Sequence, residues 1–505
     1  MSYAAIIARF RIYFDITLIT CTSLWLLLPK DDISELMKIA FIHYHLKTGG
    51  VTTVLKQQLD AVSSQWETLV LTGLPPETPF PARIVHIPEL GYSSEYRHEV
   101  DPDDVAQTIL KAIERIFEDS CDVLHVHNPT LAKNRHFIKI LKALQKRGAN
   151  LLLQIHDFAE DGRPNAYFAE DYPADCHYGV INGRDYELLL NAGLKADGLH
   201  LLANAVNHGN RTQQVPLPKP LALYPVRAIR RKNIGEAILW SLFFNHGERL
   251  AITLPPNSAA DIRSYNSWKT FVRGHNLPVA FDRGLKNDFE TNVMSADSLI
   301  TTSITEGFGF SFLEPWVFGK LLWGRKLPGV CKDFETKGIQ LQHLYDKLFV
   351  PVDWIDLRQY RQNWTHCVLK ACERLNCPRD HVFIRNAFDA NTQDGVIDFG
   401  LLDEGSQKRV VSKLVADAKF SEMLVRLNPF LANPGEVSDR NRLIRGNRDA
   451  VERNYNQKQY GKKMREVYDL VSKTKIKQRI DKNVLAAAFL NLEEFSLLKW
   501  SDYVE

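Results

Sequence analysis

Cysteine is scarce in this chain: there are seven in 505 residues, an odd and scattered set with no C-x-x-C pair. That excludes a disulfide framework, and a chain of this length needs no covalent staples, so a reducing compartment is expected. Cys367, Cys372 and Cys377, with His366 and His381 nearby, form one local cluster. A spacing of five advances each sulfur by about 140° around a helix, so the three share no face and no metal site is read there. Charge of one sign is also lacking. The 63 basic and 60 acidic residues leave a net +3, which gives no case for binding nucleic acid in bulk but leaves room for local basic clusters around a small anion. Fixed-period repeats and low-complexity tracts are missing as well, which excludes solenoids and disordered arrays. Nor is there an apolar run of the ~18–20 residues that span a bilayer.

The nearest approach to such a run is Ile16–Leu28, uncharged between Asp15 and Lys30 and preceded by Arg9 and Arg11. Pro29-Lys30-Asp31-Asp32 follows it and offers no small-residue cleavage site. The stretch fits a passive extension upstream of a second start at Met37, a membrane-associating helix, or a signal core. A cytoplasmic location is expected, with peripheral membrane contact through this segment as the alternative.

From Met37 onward strands and helices alternate. Apolar runs at Lys38–His43, Glu67–Leu71, Arg83–Ile87, Asp122–His127 and Leu151–His156 read as strands, and Val51–Val62, Pro102–Phe117 and Phe137–Arg147 carry helical periodicity. A second series begins near Pro218. Strands are expected at Leu221–Val226, Leu250–Leu254, Val279–Phe281, Ser298–Ser303 and Lys320–Trp323, and helices at Asn233–Phe244, Ala260–Gly274, Asp288–Ser295 and Ser311–Phe318. Val206–Pro220, with three prolines, is the expected linker, and Arg453–Val471 reads as one long charged helix. The order implies α/β architecture with largely parallel sheets covered on both faces. The chain divides into an extension 1–36, a first domain 37–217, a second domain 218–452, and a closing helix with its tail 453–505.

Two segments carry the chemistry. The first is Glu306-Gly307-Phe308-Gly309-Phe310-Ser311-Phe312-Leu313-Glu314, which sets two glutamates eight apart across a Gly-rich turn between a strand and a helix. Gly307 and Gly309 let backbone N–H groups approach a ligand, and the helix start after them suits an anion. An ionised carboxylate accepts hydrogen bonds from vicinal hydroxyls, which suits Glu306 and Glu314 to the sugar parts of a ligand. The second segment places Arg227 and Lys232 five apart at the end of a strand, with Arg230 and Arg231 between them, where two cations can hold a pyrophosphate. Stabilising acids at a helix start and a solvated basic loop are the plain alternatives.

Taken together, Met37–Val471 resembles the retaining glycosyltransferases of the GT-B type, in the large group-1, family-4 set with its glutamate-x7-glutamate motif. The resemblance rests on Glu306…Glu314, the Arg227/Lys232 pair, Gly49-Gly50 after the first strand, Asp122-Val-Leu-His-Val-His127, His156 at a strand end, Asn204-Ala205-Val206 and the closing helix Arg453–Val471. It implies two Rossmann-like doubly wound domains facing a cleft, and transfer of a hexose from a nucleotide-diphosphate sugar to an unidentified small-molecule, glycan or lipid acceptor. It implies donor contacts from Gly49, Gly50, Arg227, Lys232, Gly307, Phe308, Gly309, Phe310 and Glu314, and catalytic roles for Glu306, His156, Arg227 and Lys232. It implies retention of configuration with no cofactor and no metal. The segment Leu321–Gly329 departs from the family pattern. Within it Arg325 is a candidate contact to donor phosphate or an acidic acceptor, or a surface arginine. Cys377–Asn433 and the tail after Ser472 match no family feature. His43, His45, His125 and His127, near strand ends, are read as polar-core or cleft-lining groups rather than metal ligands. A GT-B phosphorylase or isomerase, and a non-catalytic sugar-nucleotide-binding or scaffold protein, are the competing functions.

Overall fold

Two parallel sheets carry the fold, and their strand orders follow from the chain's alternation of apolar runs and amphipathic helices. A computed structural model describes residues 36–62, 66–94, 99–206, 220–245 and 247–503. The first sheet uses β1 (Lys38–His43), β2 (Glu67–Thr72), β3 (Arg83–His86), β4 (Val123–His127), β5 (Leu151–Ile155), β6 (His177–Val180) and β7 (Leu199–Leu201), in the order β3-β2-β1-β4-β5-β6-β7. The second uses β8 (Leu221–Arg227), β9 (Arg249–Leu254), β10 (Val279–Ala280), β11 (Ser298–Thr301) and β12 (Leu321–Gly324), in the order β10-β9-β8-β11-β12. Every pairing within these two sheets is parallel. Both are doubly wound, as expected. The order reverses between β1 and β4 in the first sheet and between β8 and β11 in the second, and crevices at such points bind ligands. A small antiparallel pair, β13 (Phe349–Pro351) and β14 (Val396–Asp398), lies apart from both.

The helices of the first lobe are α1 (Gly50–Val62), α2 (Pro102–Phe117), α3 (Phe137–Lys146) and α4 (Gly183–Asn191). Those following the second sheet's strands are α5 (Ile234–Trp240), α6 (Ala259–Gly274), α7 (Phe289–Ser295), α8 (Glu314–Val317) and α9 (Pro328–Thr336). Then come α10 (Leu357–Arg374), α11 (His381–Asn391), α12 (Glu404–Ala416), α13 (Ala418–Leu427), α14 (Arg440–Asn454), α15 (Gln457–Lys473), α16 (Lys482–Phe489) and α17 (Leu497–Trp500).

The two faces of the first sheet differ in chemistry. Leu124, Val126, Leu153 and Ile155 alternate onto one face and join an apolar core with α2 and α3. The opposite face is also buried, but there polar side chains sit among apolar ones such as Ile39, Phe41, Val123 and Leu152. There Gln58 of α1 donates to Gln154 Oε1 at 2.7 Å and to the Tyr460 hydroxyl of α15 at 2.8 Å, while His125 meets the Tyr468 hydroxyl at 2.8 Å. These bonds offset much of the cost of burial, leaving Gln58 Oε1 and Gln154 Nε2 without a partner among the described residues, and they tie α15 onto α1.

Three sequence expectations need correction. The helix expected at Ser311–Phe318 is a 3-10 turn at Phe310–Phe312 followed by the short α8, because Pro315 is tolerated only in a first turn. The helix expected at Arg453–Val471 is the end of α14 and then α15. The break falls at Tyr455-Asn456, where the Asn456 side chain accepts from Gln459 N and starts a new helix. Strands β6 and β7, too short and too rich in His and Gly to stand out, were missed. The segment Ile16–Leu28 and residues 207–219 of the expected linker lie outside the described residues. Among the described residues no helix is long and apolar enough to cross a membrane, and the six described cysteines are free thiols.

The segment after α15 resolves the unassigned tail. Gln478 is fixed to the first lobe through Asp175 and Cys176, and α16 packs on α4. The chain then passes to the second lobe, where the Trp364 indole donates to Phe495 O at 3.1 Å and Ser496 Oγ to Gly400 O at 2.6 Å.

Candidate functional site

The loop after β8 is held in place before any ligand arrives. The Tyr224 hydroxyl donates to Lys232 O at 2.8 Å and Thr302 Oγ1 to Asn233 O at 3.0 Å. Asn233 adopts φ 49°, a left-handed conformation that Asn tolerates, and Gln407 Nε2 donates to its side-chain oxygen at 2.8 Å. Across the switch point, the loop after β11 brings Glu306 to this same loop. Lys232 Nζ lies 2.5 Å from Glu306 Oε1, and both side chains are largely buried. Burial works to raise the Glu306 pKa, but the Lys232 charge and hydrogen bond outweigh it and hold the carboxyl below its ordinary value.

The glycines of the motif have distinct reasons. Gly309 sits at φ 90°, and a Cβ there would lie 2.9 Å from Val330 Cγ1. A Cβ on Gly307 would lie 3.0 Å from His156 O, so this glycine permits the close approach of the first lobe, where Asn182 Nδ2 also donates to Gly307 O at 2.8 Å. Phe308 turns away from the crevice into a cluster with Phe310, Phe334 and Tyr455. At the start of α8, Glu314 has no hydrogen bond or ion pair to its carboxylate among the described residues. Its pKa is pushed up to about 7, first by burial and then by the negative charge of Glu306.

Arg227 Nη1 donates to Pro255 O at 3.2 Å, which leaves most of its guanidinium uncommitted. Arg231, read in sequence only as part of the same basic loop, has a buried Nε with no partner among the described residues and lies 3.6 Å from Asp157 of the first lobe. Arg230, by contrast, is a structural residue. It makes a two-pronged pair with Glu404 at 2.6 and 2.8 Å and also holds Leu497 O and Ser501 at the end of the tail.

From the first lobe, His156 reaches the site at the end of β5. Asn128 Oδ1 accepts from His156 N at 2.8 Å, and the His156 Nε2 meets His127 Nδ1 at 2.9 Å. Burial lowers the His156 pKa to about 4, so the ring is neutral at pH 7. His127 and His125 stack in turn behind it, His43 meets His127 edge-on, and burial holds all three neutral. Gly49 and Gly50 are exposed at the start of α1. A Cβ on Gly50 would meet nothing within 4 Å, so packing does not demand that glycine. Among the described residues no group of three or more His, Cys, Asp or Glu is placed to hold a metal ion.

Arg325 is the residue whose expected role fails. It borders a cavity of about 270 Å3 that also touches Glu306, Arg184 and Lys326. Yet its five N–H donors are spent on Glu236, Asp398 and Asp346 O at 2.6–3.0 Å. No donor is left for a phosphate, and the side chain ties β12 to α5 and β14. Sequence reasoning also missed Asp157, Asp161 and the tail. Lys499 of α17 pairs with Asp161, and Thr305 Oγ1 bonds the other Asp161 oxygen at 3.4 Å. No local signal in the sequence joins residues this far apart.

No family model matches the chain. Solved structures share its fold at low identity. Sucrose-phosphate synthase from Thermosynechococcus elongatus aligns with a TM-score of 0.50 at 14% identity, covering 86% of this chain and 98% of that one. A glycosyltransferase from Rickettsia africae aligns with a TM-score of 0.50 at 11% identity, covering 87% and 100%. HepE from Anabaena, in complex with UDP and glucose, aligns with a TM-score of 0.50 at 9% identity, covering 86% and 99%. The chain therefore has the GT-B fold, two Rossmann-like halves with their switch points facing a common crevice. Among curated proteins, mannosylglucosyl-3-phosphoglycerate synthase of Petrotoga mobilis is 26% identical over 418 residues, 73% of this chain and 79% of the relative. Fold and sequence thus make the chain similar to GT-B glycosyltransferases and to this synthase.

Proposed function

We propose that this chain transfers a hexose from a nucleotide-diphosphate sugar to an acid-bearing acceptor, with retention at the anomeric carbon and without a divalent cation. The observation that carries this reading is the Lys232–Glu306 contact of 2.5 Å at the switch point of the second sheet. It brings together the two sequence segments singled out for diphosphate and sugar. The relative's name contains a 3-phosphoglycerate, and the Anabaena structure holds UDP and glucose; these support the acceptor and donor classes. The donor side is assigned to residues 218–452 and the acceptor side to residues 37–217. A cytoplasmic setting is part of the reading.

Arg227, Arg231 and Lys232 take up the charge of the departing diphosphate, and the amides after Glu306 add to it. Glu314 accepts from the ribose hydroxyls and Glu306 from the sugar hydroxyls. With both carboxylates so engaged, neither is free to attack the anomeric carbon. The departing phosphate oxygen takes the proton of the acceptor hydroxyl while the sugar's C1–O bond to phosphate breaks and the new C1–O bond forms on the same face. The neutral His156 presents a ring nitrogen dipole to the electron-poor sugar. A thermal-shift panel of UDP-, GDP- and ADP-sugars identifies the donor, and proton NMR of the product's anomeric signal tests the stereochemistry. An inverted product, or a rate abolished by chelator, refutes the mechanism.

A further inference from the structure

A second concavity, of about 500 Å3, opens between the lobes on the side of the first sheet's strand ends. Lys133, Arg163, Lys370, Arg374 and Lys499 line it, against Asp502 as its one acidic residue. Three of the five cations have carboxylate partners: Arg163 with Asp157 at 2.6 Å, Lys370 with Asp502 at 3.2 Å, and Lys499 with Asp161. Neither of the other two makes an ion pair among the described residues, although Asp157 is near enough to Lys133 to favour its charged form. Lys133 Nζ lies over the Tyr92 ring, 5.9 Å from its centroid, and its pKa is lowered by burial and by the Arg163 charge. Arg374 donates only to the Asn165 side chain. Five cations against Asp157, Asp161 and Asp502 leave a net positive field in a partly enclosed space, where an anion is attracted more strongly than in open water.

The position is as informative as the charge. Lys133 and Arg163 stand on the loops after β4 and β5, the same edge from which His156 reaches the crevice. Asp157 links the two regions, since it pairs with Arg163 on one side and faces Arg231 of the diphosphate loop at 3.6 Å on the other. The pocket therefore adjoins the diphosphate loop through Asp157.

We infer that this pocket holds the anionic group of the acceptor, a phosphate or carboxylate, and that Lys133 and Arg374 are its specificity-determining contacts. The inference deepens the glycosyltransferase reading and rests on it. Both side chains are exposed, so their substitution leaves folding intact. The first test needs no turnover: inorganic phosphate is titrated into the full chain and followed by phosphorus NMR line width. The double variant Lys133→Ala/Arg374→Ala should bind phosphate at least about ten-fold more weakly, and Lys133→Arg should retain binding. The second test measures nucleotide release with glycerol 3-phosphate, glycerate and glycerol as acceptors. The expected result is a preference for a charged acceptor, phosphate over carboxylate or the reverse, and a raised KM with unchanged kcat in the double variant. Donor affinity should be the same in all variants. Phosphate binding unaffected by the double substitution, or glycerol used as well as its charged analogues, overturns the pocket assignment. A chain that binds phosphate here but no nucleotide-sugar overturns the glycosyltransferase reading instead.

Discussion

With Glu314 on the ribose, as proposed, donor binding should depend on pH in a range where few carboxylates titrate. Its rise from the ordinary 4.5 to about 7 has two physical causes, burial and the nearby negative Glu306. The free carboxylate is thus costly to ionise, by about 3 kcal/mol relative to a solvated glutamate. The sign for stability follows directly. The folded protein holds this proton more tightly than the unfolded chain, so the penalty is absent below pH 4.5, grows as pH rises, and is complete above about 7. Donor binding runs the other way, because ribose hydroxyls donate to the ionised form. Apparent affinity scales with the ionised fraction, so it should be near its plateau at pH 8 and weaken by roughly ten-fold at pH 6. A nucleotide-sugar is the right probe, since its diphosphate diester does not itself titrate there. Calorimetry from pH 5.5 to 8.5 supplies the curve. Glu314→Gln should bind roughly ten- to a hundred-fold more weakly at pH 8 and lose the slope. Glu306→Gln should keep binding but move the slope to lower pH, because the like charge is gone. A flat wild-type curve, or a slope that survives Glu314→Gln, refutes the assignment of Glu314 to the ribose.

The diphosphate clamp and the buttress behind it should separate cleanly. Lys232→Ala and Arg227→Ala should each lose about 2–5 kcal/mol of transition-state stabilisation, roughly 30- to several-thousand-fold in nucleotide release at low donor, and near-normal rates for both would remove them from the mechanism. Arg230→Ala should instead lower the urea midpoint, with a cost of about 3–5 kcal/mol, because it strands the buried Glu404; an unchanged midpoint would mean that the pair is dispensable.

The parts of this molecule that were legible in the sequence are those with local causes. β1, β4 and β5 announce themselves as apolar runs, and α2 runs over the expected Pro102–Phe117, where Asp101 caps it and Pro102 occupies its first position. The Glu306/Glu314 and Arg227/Lys232 segments were legible for the same reason, as each lies on one loop. Reading Ser311–Phe318 as a helix overlooked Pro315, a signal that was present. Arg325 misled because an arginine beside a Gly-rich turn looks available; only the fold shows Glu236 and Asp398 arriving from 89 residues before it and 73 after. Asp157, Lys133 and Lys499 carried no signal at all, since each acquires meaning from a partner supplied by another part of the chain.

The route of the chain after α14 has a consequence for how the protein is made. Packing runs first lobe, second lobe, first lobe, second lobe: α15 and α16 return to the first sheet, and residues 492–501 end on the second. Gln58, His125 and Gln154 therefore wait for Tyr460 and Tyr468, which leave the ribosome some three to four hundred residues after them. Until then the first lobe holds an uncovered polar face in what will become its interior, and vectorial synthesis cannot finish it as an independent unit. The same threading defeats modular recombination. A chimera joined at the interlobe linker inherits a cover cut for a different partner, and a functional exchange has to carry residues 457–489 with the first lobe and residues 491–502 with the second.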